Sequence, residues 1–320
     1  MADTARILQW ASLGPELDAE LAARYAVLDA RDATSLDDAL LRRASDVAVV
    51  VTSVRKGLTA ATIERLPRLR AVCSWGVGYD TLDVAAASAR GVRVSNTPGV
   101  LDECVADLAW ALLLSTARRT AVGDRHVKDG NWRTIGAFPL STRVWGQRLG
   151  ILGMGRIGAA IAQRGAGFRM EVRYTNRNAR RDSPFTYEPS LLELARWADF
   201  LVLACPGGDE TRHLVDAPVL HALGGKGILI NIARGSVVDE RALVAALVEG
   251  KLGGAGLDVF EHEPRVPPEL MRMDQVVLMP HVGSATHQTR NDMARLVFDN
   301  VVGFMQAGQL LTPIEEPANA

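Results

Sequence analysis

The sequence has few of the features that mark secreted, metal-binding or membrane proteins. Cysteine is scarce: Cys73, Cys104 and Cys205 lie far apart in apolar stretches, so we expect buried, reduced thiols and no disulfide or metal site. No segment approaches the roughly 18 apolar residues of a membrane span, and the N-terminal residues lack the pattern of a secretory signal. These absences predict a soluble, cytoplasmic protein with no metal and no membrane partner.

An excess of charge of either sign is also missing. Lys and Arg number 36 and Asp and Glu 37, for a formal net charge of -1, so no global field attracts nucleic acid. Hydrophobic residues make up 48% and charged residues 23% of the chain, which is typical of a globular protein and excludes a disordered one. With 320 residues, the chain is long enough for two domains with separate cores.

Short apolar runs alternate with helical segments in the first third of the chain. Pro15–Arg24 and Leu36–Ala44 have apolar residues at helical spacing. Strand, helix and strand in repetition predict a parallel sheet with helices on its faces. The runs that predict strands are Arg6–Trp10, Ala26–Leu28, Val47–Thr52, Leu69–Ser74 and Val92–Val94.

A connector leads to a second alternation of strands and helices. Asp102 is the predicted N-cap of a long helix through VADLAWALLLSTARR, and a loop follows from Gly130 to Trp145. Six apolar runs then give the number of strands in a complete doubly wound dinucleotide-binding sheet. They are Leu149–Leu152, Glu171–Tyr174, Phe200–Ala204, Ile228–Ile232, Gly254–Leu257 and Val276–Met279. A last helix is predicted over Thr286–Gln306, with Gly308 as its C-cap.

The segment LGILGMGRIGAAIAQRGAGF predicts a phosphate-binding turn, because it has the pattern G-x-G-x-x-G between an apolar run and a helical pattern. The first glycine allows a tight turn, the second lets the backbone approach a pyrophosphate, and the third lets helix and strand pack closely. The helix N-terminus then offers N–H groups to the phosphates. The predicted dinucleotide-binding residues of this turn are Gly153, Met154, Gly155, Arg156, Ile157 and Gly158.

The residues after the next predicted strand favour NADPH. In NAD-specific sites an Asp or Glu about 20 residues beyond the motif binds the ribose hydroxyls, but here the sequence is Tyr174-Thr175-Asn176-Arg177-Asn178. Arg177, with Thr175 or Asn176, is able to bind a 2′-phosphate through charge-assisted hydrogen bonds. If the arginines of this loop are only solvated charges, the site accepts NADP or NAD.

Three polar stretches follow predicted strands in the second half of the chain: residues 231–240, 257–264 and 279–286. Ligands of open parallel sheets bind beyond the carboxyl ends of the strands, so we expect these stretches to converge. Together with the glycine motif, three segments resemble the D-isomer-specific 2-hydroxyacid dehydrogenases. These are Asn231-x-Ala233-Arg234-Gly235, Asp258-Val259-Phe260-x-x-Glu263-Pro264 and Pro280-His281-x-Gly283-x-x-Thr286. The resemblance covers nearly the whole chain from Cys73 onward.

The resemblance implies an α/β fold of two doubly wound parallel-sheet domains. A Rossmann cofactor domain, residues 100–285, would be inserted in a flavodoxin-like substrate domain, residues 1–99 and 286–320. The cleft between the domains would close on the substrate and exclude water from the hydride.

The resemblance also implies a catalytic set of Arg234, Glu263 and His281, which agrees with the needs of 2-oxo acid reduction. The planar fork of Arg234 is able to hold the substrate carboxylate and carbonyl oxygens. His281 would protonate the developing alkoxide, and would accept the proton in the reverse direction. Glu263 would hydrogen-bond His281, fix its orientation and favour its acid form.

Further binding residues are implied in the same way. Backbone N–H groups around Val77 and Gly78 would grip the substrate carboxylate, and first-domain loop residues such as Ser53, Val54 and Arg55 would set specificity. Asp258 resembles the residue that holds the nicotinamide carboxamide. The remaining expected cofactor residues are Cys205 and Pro206 beside the adenosine, Thr211 near the phosphates, and Ile232, Ala233 and Gly283.

The NADPH-type turn makes glyoxylate and hydroxypyruvate reductases the favoured subgroup, with 2-ketogluconate or aryl-pyruvate reductases as alternatives. A dinucleotide-sensing corepressor-like binding protein is a different kind of alternative, although the full catalytic set argues against it. A formate dehydrogenase is disfavoured because Glu263 is present. Because the equivalent of residues 129–150 crosses a homodimer two-fold in relatives, we expect a homodimer in which Trp132 or Phe138 lines the partner's site; a loop folded on its own domain is the alternative.

Overall fold

The computed structural model describes residues 6–314, apart from the side chains at positions 38 and 39. The chain forms two compact units. The first unit ends at Leu101 and resumes at Ala285, and the second unit is Asp102–Ser284. Among residues 6–314, no helix combines the length and the apolar character that a membrane crossing requires.

The first unit contains a five-stranded parallel sheet in the order β2-β1-β3-β4-β5, which is the flavodoxin-like doubly wound order. Its strands are β1 (Arg6–Gln9), β2 (Val27–Asp29), β3 (Val47–Ser53), β4 (Ala71–Trp75) and β5 (Arg93–Ser95). Its helices are α1 (Pro15–Arg24), α2 (Asp38–Arg43), α3 (Ala60–Glu64), α4 (Val84–Ala89) and, at the far end of the chain, α11 (His287–Ala307).

The core of the first unit lies on both faces of this sheet. Along β3, Val50 belongs to one buried cluster whereas Val49 and Val51 belong to the other, because successive side chains of a strand point to opposite faces. Phe298 and Val301 of α11 pack in the second cluster. The strands therefore read as continuous apolar runs, as expected for a parallel sheet covered on both sides.

The second unit contains a seven-stranded parallel sheet in the order β12-β11-β10-β9-β6-β7-β8. Its first strand, β6, lies between β7 and β9, so the strand order reverses at β6 as in a Rossmann sheet. The strands are β6 (Arg148–Leu152), β7 (Glu171–Thr175), β8 (Thr186–Tyr187), β9 (Phe200–Leu203), β10 (Ile228–Asn231), β11 (Gly254–Leu257) and β12 (Val276–Leu278). The helices are α5 (Asp102–Arg118), α6 (Thr120–Lys128), α7 (Arg156–Gly167), α8 (Leu191–Trp197), α9 (Ala217–Leu223) and α10 (Glu240–Val248).

The predicted fold class is confirmed, and the predicted strands all occur with small shifts of their ends. The predicted number of strands in the second sheet was wrong, because β8 adds a seventh. This strand has two residues and no apolar run, and it is defined by its pairing with β7. Asp102 is the first residue of α5 instead of its predicted N-cap, and its carboxylate lies 3.3 Å from Arg156 Nε.

Candidate active site

The glycine turn after β6 is too tight for side chains at two of its three glycines. Gly153 has φ +102°, and a Cβ there would lie 2.4 Å from the Cys205 nitrogen. A Cβ on Gly158 would lie 2.1 Å from the Gly153 carbonyl oxygen. These contacts hold the start of α7 against the ends of β6 and β9, where the strand order reverses.

The middle of this turn is open. A Cβ on Gly155 would meet no atom within 4 Å, and α7 begins there without a side-chain hydrogen bond to its first turn. By contrast, α8, α9 and α10 are each capped by a side chain. The N-terminus of α7 therefore has the space and the dipole for a pyrophosphate. The Met154 side chain is buried, and its carbonyl accepts a hydrogen bond from Arg180 Nη1 at 3.1 Å.

The three residues predicted to bind a 2′-phosphate differ in their surroundings. Thr175 is buried, and its hydroxyl donates to the Glu188 carbonyl. Asn176 Oδ1 accepts a hydrogen bond from the Met154 N–H at 2.6 Å, which ties this loop to the glycine turn. Arg177 forms an ion pair with Glu210 in which both side chains are 73% exposed. Of the three residues, Asn176 and Arg177 therefore have side-chain polar groups that are accessible, and Thr175 does not.

The loop after β9 closes on itself beside the glycine turn. The Thr211 hydroxyl donates to the Pro206 carbonyl at 2.8 Å and to the Gly208 carbonyl at 3.1 Å. Burial raises the pKa of the Cys205 thiol to about 11, so it stays protonated at neutral pH. The three positions expected beside the cofactor, Cys205, Pro206 and Thr211, therefore lie on one compact loop.

Backbone hydrogen bonds join the three polar stretches that follow β10, β11 and β12. The Asp258 N–H donates to the Asn231 carbonyl at 3.0 Å, and the His281 N–H donates to the Asp258 carbonyl at 2.8 Å. The three strands are neighbours in the sheet, so the stretches that follow them come together at its carboxyl edge.

His281 and Glu263 form a hydrogen-bonded pair at this edge, with His281 Nδ1 2.7 Å from Glu263 Oε2. The other carboxylate oxygen of Glu263 accepts from the Phe260 N–H at 3.1 Å. Burial acts to raise the pKa of Glu263, but the hydrogen bonds from His281 and the Phe260 N–H and the charge of His281 together help to hold that pKa below its ordinary value. The charge of Arg234 acts in the same direction. His281 itself has a left-handed backbone with φ +54°.

Asp258 holds the loop that carries His281. It is only 2% exposed, and its two carboxylate oxygens accept from the Val282 N–H at 2.7 Å and the Gly283 N–H at 2.8 Å. Burial raises the pKa of Asp258, and these two hydrogen bonds offset part of that rise. The described contacts of Asp258 are therefore those of a residue that fixes the backbone on the C-terminal side of His281.

Arg234 is half-buried on the loop after β10. Its Nη1 donates to the Ala233 carbonyl at 2.8 Å, and its own carbonyl accepts from Asn231 Nδ2 at 2.9 Å. A Cβ on Gly235 would lie 1.9 Å from the Phe260 carbonyl carbon, so only glycine lets this loop approach the one that bears Glu263. The side chains of Ile232 and Ala233 are buried, which leaves only their backbone for a cofactor.

In the first unit, the loops that carry the expected substrate residues lie side by side. Val77 and Gly78 follow β4, whereas Ser53 ends β3 and Arg55 is exposed in the next turn. A Cβ on Gly76 would lie 2.1 Å from Val54 Cγ2. Asn96 and Thr97, which the sequence reasoning missed, contact the Gly76–Gly78 loop. Their signal was a polar Ser95-Asn96-Thr97 run at the end of a predicted strand.

The segment 130–145, called the arm below, contains no helix or strand. Trp132 is 60% exposed, Ile135 91% and Leu140 98%. Phe138 instead packs on its own unit, with its ring centroid 5.4 Å from that of His126 in α6. Trp145 at the end of the arm is 51% exposed, so the arm contains one aromatic residue packed on α6 and four exposed large apolar residues.

Comparisons with known proteins agree with this architecture. Residues 110–283 match the family model described as the NAD-binding domain of D-isomer-specific 2-hydroxyacid dehydrogenases. The chain is 44% identical over 310 residues to a glyoxylate/hydroxypyruvate reductase of Arabidopsis thaliana, covering 96% of this chain and 98% of the relative. It is also 44% identical over 308 residues to a hydroxyphenylpyruvate reductase of Plectranthus scutellarioides, covering 96% and 98% of the two chains.

A solved structure gives the same result. An NADPH-dependent glyoxylate/hydroxypyruvate reductase from Sinorhizobium meliloti, in complex with NADP and malonate, superposes with a TM-score of 0.90. It is 42% identical and covers 97% of each chain. The chain therefore belongs to the D-isomer-specific 2-hydroxyacid dehydrogenases, a family of enzymes that use a nicotinamide dinucleotide.

Proposed function

We propose that this chain reduces small 2-oxo acids to D-2-hydroxy acids with NADPH. The observation that carries the proposal is the Glu263–His281 pair, joined through backbone hydrogen bonds to the loop of Arg234. Such a set provides an acid, a group that orients it, and a cation for an anionic substrate.

The proposed roles follow from the contacts of each side chain. Because Glu263 binds His281 at Nδ1, the Nε2 proton of the imidazolium is the one that passes to the substrate oxygen, leaving a neutral ring. Arg234 binds the carboxylate and polarises the carbonyl. A bound nicotinamide supplies the hydride that C2 receives. Asp258 keeps His281 in place through the Val282 and Gly283 amides.

The second unit would bind the dinucleotide, with the phosphates at the start of α7. Two features support NADPH over NADH. No carboxylate stands at the end of β7, and Arg177 forms an exposed ion pair with Glu210. Exposed pairs contribute little, so a 2′-phosphate is able to replace Glu210 as the partner of Arg177.

The first unit would bind the carboxylate of the acid through the Val77 and Gly78 amides. Glyoxylate and hydroxypyruvate are the proposed substrates, because the Arabidopsis thaliana and Sinorhizobium meliloti proteins bear those names. Hydroxyphenylpyruvate is a second candidate, since a relative named for it has the same 44% identity. Ser53 and Arg55, at the edge of the same unit, are the residues proposed to distinguish them.

The test is NADPH oxidation, followed by absorbance, with glyoxylate, hydroxypyruvate, hydroxyphenylpyruvate and 2-ketogluconate in parallel. We expect turnover with at least one acid, and a fall in kcat of about 10²- to 10⁴-fold in His281→Ala. The matched control is His221→Ala, on an exposed position of α9, which should leave kcat unchanged. NADPH binding without oxidation of any acid would refute the reductase and favour a dinucleotide sensor.

We also propose a homodimer formed through the arm, because this one segment exposes Trp132, Ile135 and Leu140, and apolar surface of this extent is typical of protein interfaces. The double variant Ile135→Asp, Leu140→Asp should have the mass of a monomer in light scattering. Val248→Asp is the control, since Val248 is 67% exposed at the end of α10. A wild-type monomer, or a dimer that survives the double substitution, would contradict this assembly.

A further inference from the structure

We propose that Asn96 and Thr97, with Thr312 behind them, are positioning residues that aim the Val77 and Gly78 N–H groups at the substrate carboxylate. The inference rests on the proposed function. It concerns two peptide units of the loop after β4, Gly76–Val77 and Val77–Gly78, both of which are trans. In a trans peptide the C=O and N–H groups point in opposite directions, so whatever binds the carbonyl also sets the direction of the amide.

The first peptide unit is held by Thr97. The Gly76 carbonyl accepts a hydrogen bond from the Thr97 N–H at 3.0 Å. The Gly76 N–H in turn donates to Thr97 Oγ1 at 3.2 Å. Thr97 is completely buried, so these bonds do not exchange with water. The Val77 N–H therefore points away from Thr97.

The second peptide unit is held by the side chain of Asn96. Its Nδ2 donates to the Val77 carbonyl at 2.7 Å, and Asn96 is only 9% exposed. The Gly78 N–H consequently points away from Asn96. Both proposed carboxylate donors thus have their directions fixed by the two residues that follow β5.

Asn96 is held in turn by the segment after α11. The Thr312 hydroxyl donates to the Asn96 carbonyl at 2.6 Å. Asn300 is completely buried, and its Oδ1 accepts from the Leu311 and Thr312 N–H groups at 2.9 and 3.0 Å. Its Nδ2 donates to Thr312 Oγ1 at 3.0 Å. A continuous set of hydrogen bonds therefore runs from α11 to the loop that would bind the substrate.

The experiment compares the KM for the 2-oxo acid with the dissociation constant of NADPH. Asn96→Asp keeps the size of the side chain but places a second acceptor against the Val77 carbonyl. We expect its KM to rise about tenfold or more, as for loss of one buried hydrogen bond. Its kcat and its NADPH affinity should stay within about threefold of wild type, because the dinucleotide residues are in the other unit. Asn291→Asp, at an exposed position of α11, is the matched control.

Thr312 provides a second pair of variants that change little else. Thr312→Val removes the hydroxyl bound to Asn96 and should raise the KM about threefold, whereas Thr312→Ser keeps it and should restore the wild-type KM. If Asn96→Asp does not fold, the KM values of Thr312→Val and Thr312→Ser test the inference without it. A wild-type KM in folded Asn96→Asp or in Thr312→Val, or an equal rise in the NADPH dissociation constant, would overturn the inference. A wild-type chain without reductase activity would instead refute the proposed function.

Discussion

The two glycine turns of this protein expose backbone amides in different ways. In the turn from Gly153 to Gly158, α7 begins immediately, so the helix itself orients the N–H groups. In the loop from Gly76 to Gly78, no helix begins, and hydrogen bonds to Asn96 and Thr97 set the directions of the peptides. The direction of a backbone N–H group at a helix start is set by local sequence. The direction of an N–H group in a loop is set by hydrogen-bond partners from elsewhere in the chain.

This difference determines how well each turn can be predicted from the sequence. The G-x-G-x-x-G pattern and its helix lie within one short segment. The loop after β4 depends on Asn96, 19 positions from Val77, and on Thr312, which is 216 positions from Asn96. Glycine-to-alanine substitutions in each turn test whether its N–H groups are oriented by the helix or by hydrogen bonds to distant residues.

The largest effect is expected for Gly158→Ala. The added Cβ would lie 2.1 Å from a backbone oxygen of Gly153, which has no flexible side chain that is able to give way. We expect a loss of about 3 kcal/mol in unfolding free energy and a fall in Tm of about 6–12 °C. NADPH binding, measured by fluorescence, should weaken more than about hundredfold. Wild-type affinity in this variant would mean that the turn is not the phosphate site.

Gly76→Ala should damage the other turn and spare the first. The Cβ would meet Val54 Cγ2 at 2.1 Å, and φ there is +137°. We expect a cost of about 2 kcal/mol, seen as a rise in KM of about thirtyfold with an unchanged NADPH dissociation constant. Gly91→Ala is the control for positive φ, since a Cβ there meets nothing within 4 Å. Adding Val54→Ala should recover part of the KM, and a failure to do so would contradict the steric cause.

Gly155→Ala sharpens the comparison, because it tests space for a ligand instead of space within the protein. A Cβ at this position meets nothing, so the Tm should not fall. A bound pyrophosphate would meet the methyl group, and NADPH affinity should drop about tenfold. Gly167→Ala, near the end of the same helix and equally open, is the control. Equal NADPH affinities for the two variants would argue against the proposed position of the phosphates.

The smallest effect is expected at the adenosine end of the first turn. Arg177→Ala should raise the NADPH dissociation constant about three- to tenfold and leave that of NADH unchanged, because it removes one charge-assisted contact. Glu210→Gln should act in the opposite direction, since it frees Arg177 from its ion pair. The ratio of the two dissociation constants, measured by titration, is the informative quantity. A fall in affinity for both cofactors alike would exclude a 2′-phosphate contact.

Much of the fold is predictable because its buried strands are continuous apolar runs. The sequence VAVVVTS of β3 is buried along most of its length, and Pro at the start of α1 marks a helix beginning correctly. The β8 strand escaped prediction because two residues without an apolar pattern carry no periodic signal. Its existence depends on pairing with β7, which is a property of the folded sheet.

The site was predictable to the extent that its residues lie in contiguous motifs. The family resemblance carried by these motifs implied that Glu263 binds His281, and the structure places Glu263 Oε2 2.7 Å from His281 Nδ1; their catalytic roles remain predictions. The partner of Arg177, Glu210, is 33 positions away and no local pattern indicates it. The same holds for the buried hydroxyl of Thr175, whose acceptor is a carbonyl of the following loop.

The left-handed backbone of His281 limits which substitutions at this position preserve both stability and the proposed catalysis. A residue with a Cβ at φ +54° costs roughly 1–2 kcal/mol relative to glycine in the same conformation. Asn or Gly at this position would fit the backbone better than the imidazole does, yet neither would supply the proton. The backbone conformation and the proposed proton transfer therefore oppose each other at one residue, because a substitution that relieved the strain would also remove the acid and the hydrogen-bond partner of Glu263.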